Sequence, residues 1–216
     1  MRGFGRFGLA AALFSASAAG LVLEIVAARL IAPYVGMSLY TWTAIIATVL
    51  AGMSAGHWIG GRLAEAPDER VLGRVAILLA LSAGNVLFVP LLLRWTAPAI
   101  LGDPGNILAA VSLLSAVLFF LPSLLIAATS PMLTRLALDA EPDRRGIVLG
   151  RMFALGAGGA ILGTLATGFL FISWIGSQGT LICVAALLGL LAACFGVWAK
   201  RRRSGVMAVA LGMLVA

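Results

Sequence analysis

The sequence predicts an all-α integral membrane protein, a polytopic helical bundle of six complete spans plus the start of a seventh. Three observations predict it. The chain is 62% hydrophobic and 11% charged, with a mean hydropathy of +1.11, whereas soluble domains carry about 25% charged residues. Apolar stretches of the roughly 20 residues that a bilayer requires recur along it, separated by short polar segments. The bases are also segregated. Of the 15 Lys and Arg, the set Arg2, Arg6, Arg62, Arg70, Arg74, Arg135, Arg144, Arg145, Arg151 and Lys200 to Arg203 falls in alternate gaps, against Arg94 alone in the others; Arg29 sits at the edge of the first run. Short Lys/Arg-rich loops stay in the cytoplasm, so the N-terminus is expected inside, in a bacterial inner membrane. The net charge of +7 then reports topology. Nucleic acid is not an expected partner, because a nucleic-acid binder clusters its bases on a folded polar surface; the bilayer is.

The spans are expected over residues 8–32, 40–61, 74–93, 106–128, 150–174 and 179–199. The first begins behind Arg2 and Arg6 and continues to Ala32, well past the 7–15 residues of a cleavable signal core, which favours a span over a secretory signal peptide. The second carries Gly52, Gly56 and Gly60 four residues apart, a flat face on which another helix can approach closely. The fourth contains Pro122 and is followed by Pro131; each removes a backbone donor and bends or breaks a helix. The sixth holds Cys183 and Cys194, about 16 Å apart along one face, too far to bridge and expected as buried apolar thiols. A last apolar run, 204–216, is too short to cross alone and reads as a seventh span continuing beyond Ala216. Inside loops are expected at 62–73 and 135–149, outside loops at 34–39, 94–105 and 175–178, with Asp103-Pro104-Gly105 and Glu141-Pro142-Asp143 as turns. Connections this short make sequential helices neighbours.

A weak internal symmetry accompanies these elements. Ile31-Ala32-Pro33 and Ala128-Thr129-Ser130-Pro131 are each followed by a glycine-studded span, the second with Gly156, Gly159 and Gly163. A unit of three spans reverses direction when repeated, giving a 3+3 inverted repeat of the kind common in secondary transporters.

The residues that can carry chemistry are few. Glu24 lies well inside the first span, where a carboxylate costs several kcal/mol unless paired, protonated or facing water. Arg29, five residues on, is about 140° around the helix, so the two are poorly placed to pair. Tyr40, Trp42, Asn85 and Thr129 are the other polar or amphipathic side chains expected to line a ligand site with Glu24 and Arg29, while Gly52, Gly56, Gly60, Pro122 and Pro131 are expected to shape helix packing. His57, the single histidine, is expected as a hydrogen-bonded packing residue. No catalytic constellation, metal-ligand cluster or nucleotide loop stands in the sequence, so no catalytic residue, metal or cofactor is assigned to this chain.

The runs Leu23-Glu24-Ile25-Val26-Ala27-Ala28-Arg29-Leu30, Tyr40-Thr41-Trp42-Thr43, Leu50-Ala51-Gly52-Met53-Ser54-Ala55-Gly56, Gly60-Gly61-Arg62-Leu63-Ala64, Ala128-Thr129-Ser130-Pro131-Met132-Leu133 and Gly150-Arg151-Met152-Phe153-Ala154 resemble the membrane domain of the fused transporter-like (MFS)/spermidine synthase family. The resemblance covers most of residues 8–199. It implies a domain that binds or transports a small cationic metabolite such as a polyamine, with Glu24 as the anionic contact, or else a non-transporting anchor for a soluble aminopropyltransferase-like enzyme. Family members usually carry that enzyme, with its Rossmann-type core, after the membrane helices; any such activity would lie outside this chain. The family's Tyr-Ala-x-Asn-Thr stretch stands here as Phe153-Ala154-Leu155-Gly156-Ala157, and its later proline as Ser173. Both departures argue against a ligand role for the fifth span.

Overall fold

The computed structural model describes the backbone of residues 4–102 and 107–215, with side chains for 5, 7–102 and 107–201. Among these the chain is helical nearly throughout and has no strand. The helices are α1 (Phe4–Val35), α2 (Leu39–Ala64), α3 (Asp68–Leu101), α4 (Ile107–Ser115), α5 (Leu121–Ala140), α6 (Arg145–Ala166) and α7 (Ile172–Val215). Two π-helical turns, Ala116–Phe120 and Thr167–Phe171, join α4 to α5 and α6 to α7 without a break. Pro122 follows the first of them. A π turn bonds i to i+5, and the wider turn ends one residue short of Pro122, which cannot donate to the helix ladder. The turn expected at Asp103-Pro104-Gly105 lies outside the described residues.

Five helical stretches are long and apolar enough to span a membrane: Phe7–Val35, Leu39–Ala64, Asp68–Leu101, Ile107–Ala140 and Pro142–Arg201. This corrects the expectation of six separate spans and the start of a seventh. The segments 150–174 and 179–199 belong to the last stretch, where the expected outside loop is reduced to one non-helical residue, Gly176 (φ 69°, ψ 176°). Residues 204–215 continue α7 without interruption. The helices also outrun their apolar cores. α3 extends from Asp68 to Leu101 and α5 reaches Ala140, converting much of the expected loops 62–73, 94–105 and 135–149 into helix, because backbone hydrogen bonding continues into the interface where charged side chains reach water.

The buried face of α1, with Leu23, Val26, Ala27, Ala28 and Ile31 fully enclosed, places that helix at the centre. The principal packing pairs are α1 with α6, α2 with α5, and α3 with α7. Sequential helices, expected as neighbours, touch far less, because the glycine faces select a more distant partner. A Cβ on Gly52 would stand 2.6 Å from the Phe120 carbonyl oxygen; one on Gly56 would collide with that of Leu124, and one on Gly60 with that of Ala128. Each step of four on α2 meets a step of four on the other helix, so the two run parallel. In the same way Gly159 abuts the Phe14 carbonyl and Gly163 that of Ala18, with 2.7 Å from a Gly163 Cβ to the oxygen. α6 therefore runs parallel to α1. Beyond Gly176, α7 leads to Trp198, whose ring lies 3.4 Å from where a Gly5 Cβ would stand, at the start of α1.

The buried stripe of α7 is Leu181, Val184, Ala185, Leu188, Ala192, Phe195 and Ala199. Cys183 and Cys194 fall off it and are exposed, correcting their expected burial: an apolar thiol can face a bilayer as readily as a helix.

Candidate functional site

Glu24 is half-buried on α1 between the enclosed Leu23 and the partly covered Ile25. Among the described residues it makes no hydrogen bond or ion pair; the ion pairs there are those of Arg135 and Arg151. Arg29 is exposed on the same helix and does not pair with it. Thr129 is fully buried on α5, a helix packed against α1, but its hydroxyl donates to the Ile126 carbonyl at 2.7 Å. Asn85 is half-buried on α3, which packs on α7 and α5 in preference to α1.

Tyr40 and Trp42 occupy the first turn of α2. That turn is fixed by its cap: Ser38 accepts the Thr41 amide at 3.2 Å, and the Thr41 hydroxyl donates to the Gly36 carbonyl at 3.2 Å. Gly36 takes φ 74° there. Tyr40 is 65% exposed, whereas Trp42 packs on the core. The structure thus brings Glu24 and Thr129 onto packed helices and leaves Arg29 and Tyr40 at the surface. Gly52, Gly56 and Gly60 are buried in the α2–α5 contact, and Pro122 is buried on α5. His57 is exposed on α2, one position off the glycine face and without the expected hydrogen bond.

The best organised polar cluster lies at the opposite end of α2. Arg135 on α5 donates to the Ala66 carbonyl at 3.1 Å and pairs with Asp68 at 2.9 Å and Asp139 at 2.7 Å. Arg74 donates to the Leu63 carbonyl at 2.7 Å. The Arg74 bond satisfies a carbonyl in the last turn of α2 and the Arg135 bond one in the link to α3, and together they tie the α2–α3 corner to α3 and α5. Beside them a cavity of about 550 Å³ is lined by Gly61, Ala64, Glu65, Ala66, Pro67, Pro131 and Arg135. Nearby, the Arg62 guanidinium stacks 3.7 Å above the Trp58 ring, and Arg151 pairs with Glu141 at 2.8 Å. Sequence reasoning placed Pro131 among the packing residues and missed Arg135. The i,i+4 spacing of Arg135 and Asp139 was the available signal; the approach of Asp68 was not encoded locally.

No group of three His, Cys, Asp or Glu side chains able to hold a metal occurs among the described residues. No known protein family, characterised protein or solved structure matches this chain. The family resemblance therefore rests on the short motifs that suggested it.

Proposed function

We propose that this chain is a membrane domain of the transporter-like kind that takes a small organic cation, such as a polyamine, at Glu24. The observation that carries this reading is a carboxylate inside an apolar helix with no basic partner among the described residues. A charged carboxylate at such a depth needs a positive charge or water beside it, and a cationic ligand supplies the first. The resemblance set out above points to the same chemistry.

In this reading the last apolar stretch crosses twice, folding back at Gly176, which makes six crossings. The parallel run of α6 beside α1 and the return of Trp198 to Gly5 support the count. The packing pairs support a 3+3 inverted repeat: exchanging the first three crossings for the last three converts the α1–α6 pair into α5–α2 and maps α3–α7 onto itself. The loop bases support an N-terminus in the cytoplasm of a bacterial inner membrane.

The test is Glu24→Gln, which keeps size and removes charge. Spermidine binding to the purified full chain should fall at least tenfold while the melting temperature holds. Unchanged binding, or none by the parent protein, would leave the second reading, an anchor for a soluble aminopropyltransferase-like partner. The interlocked backbones of α2 and α5 favour that reading, since they make a stiff platform.

A further inference from the structure

We infer that the ligand taken at Glu24 is a monocation, with one ammonium group on an apolar body. The inference rests on the proposed role of Glu24 and narrows it. Helix register shows where the ligand lies. Ser17 and Gly20 precede Glu24 by seven and four residues, so the three share one face of α1. That face is half-buried from Ser17 to Glu24 and closes one turn later at Ala28, which is fully enclosed. Two helices border it. A Cβ on Gly20 would stand 4.0 Å from the Ile126 side chain on α5, and one on Gly156 of α6 would stand 3.4 Å from the Ser17 hydroxyl oxygen. α5 and α6 pack on α1 far more than on each other, so a cleft opens between them over this strip. A helical side chain leans over the turn that precedes it. The Glu24 carboxylate is thereby set over Gly20, where the missing side chain leaves room.

Charge decides the class of ligand. Of the 8 acidic side chains in the chain, Glu24 alone lies within an apolar core; the others stand at helix ends or in the segments between helices. Glu24 can therefore neutralise one ammonium group. A further ammonium group drawn into the cleft would face apolar side chains and the neutral Ser17 hydroxyl, and an unpaired charge inside a bilayer costs several kcal/mol. The surfaces that Gly20, Leu21 and Ile126 supply suit hydrocarbon instead. A polyamine then binds through one end, keeps its other amines in water, and is a weaker member of the class.

The experiment compares n-pentylamine with 1,5-diaminopentane in equilibrium binding to the full chain in detergent. The two share one carbon chain and differ by an ammonium group. Pentylamine should bind more tightly by about tenfold or more, and Glu24→Gln should weaken both. Gly20→Leu fills the cleft and meets the end of a flexible side chain rather than backbone. It should weaken pentylamine binding about tenfold with the melting temperature held. Equal or tighter binding of the diamine, lost in Glu24→Gln, would overturn the inference and leave the role of Glu24 standing. Binding of neither amine nor spermidine would remove that role and the inference with it. Full pentylamine affinity in a folded Gly20→Leu protein would put the ligand body elsewhere and overturn the inference as well. The amine comparison is made on the parent protein, so it decides even where Gly20→Leu fails to fold.

Discussion

Two adjacent glycines near the end of α2 have opposite surroundings. Gly60 is buried, and a Cβ there would run into the carbonyl oxygen, carbonyl carbon and Cα of Ala128; at Gly61 a Cβ meets nothing within 4 Å. Backbone cannot yield as a flexible side chain can. Gly60→Ala should therefore lower stability by about 1–3 kcal/mol through overpacking, while Gly61→Ala should be neutral or stabilise by up to about 1 kcal/mol through helix propensity. Thermal denaturation of both variants in one detergent checks the pair. Equal melting temperatures would mean that α2 and α5 do not touch as described. The spacing of Gly52, Gly56 and Gly60 made this face legible in the sequence. Its partner was not legible, because a glycine stripe states that some backbone comes close without stating whose. Glu24 divides in the same way. Its residue type and depth mark it as exceptional, but whether a base approaches it depends on helices far away in the chain, as Asp68 and Arg135 demonstrate by pairing across 67 positions.

At the scale of elements, the apolar cores were readable and the reach of the helices past them was not. A hydrophobic stretch reports where lipid is, and helices keep their hydrogen bonds past that boundary, so α3 and α5 end well beyond the predicted limits. The junction between the predicted fifth and sixth spans offered no charge and no proline, only Gly176-Ser177-Gln178 inside the expected loop 175–178, and the single non-helical residue of the joint falls there, at Gly176. Its φ of 69° with ψ of 176° lies in a region essentially confined to glycine, where other residues cost on the order of 1–3 kcal/mol. Gly176→Ala should thus lower the melting temperature although a Cβ there meets nothing within 4 Å. The control is Gly84→Ala, also in open space but with ordinary helical backbone, which should not destabilise. If both variants melt alike, α6 and α7 form one unbroken helix and the turn is wrong.

The whole molecule joins these joints to its charge pattern. A chain with five crossings and a cytoplasmic N-terminus would deliver its last helix end to the outside, carrying Lys200 to Arg203 with it. A chain that folds back at Gly176 returns those bases to the cytoplasm with Arg62, Arg70, Arg144 and Arg145. Positive charge is retained on that side because translocating it is unfavourable, and the contact of Trp198 with Gly5 at the foot of α1 requires the same return. The two arrangements separate under labelling with a membrane-impermeant thiol reagent, after Cys183 and Cys194 are replaced by alanine. Cysteines at Gly102 and Gln178 should react from outside, and those at Ala66, Ala140 and Arg201 only after the membrane is opened. Labelling of the Arg201 site together with Gly102 in intact cells would leave five crossings. It would also remove the inverted repeat, because a last stretch that crosses once leaves no sixth span to pair with the third. Labelling at Ala66 and Ala140 with none at Gly102 would instead keep the architecture and reverse its orientation, placing the Arg135 cluster on the outer face.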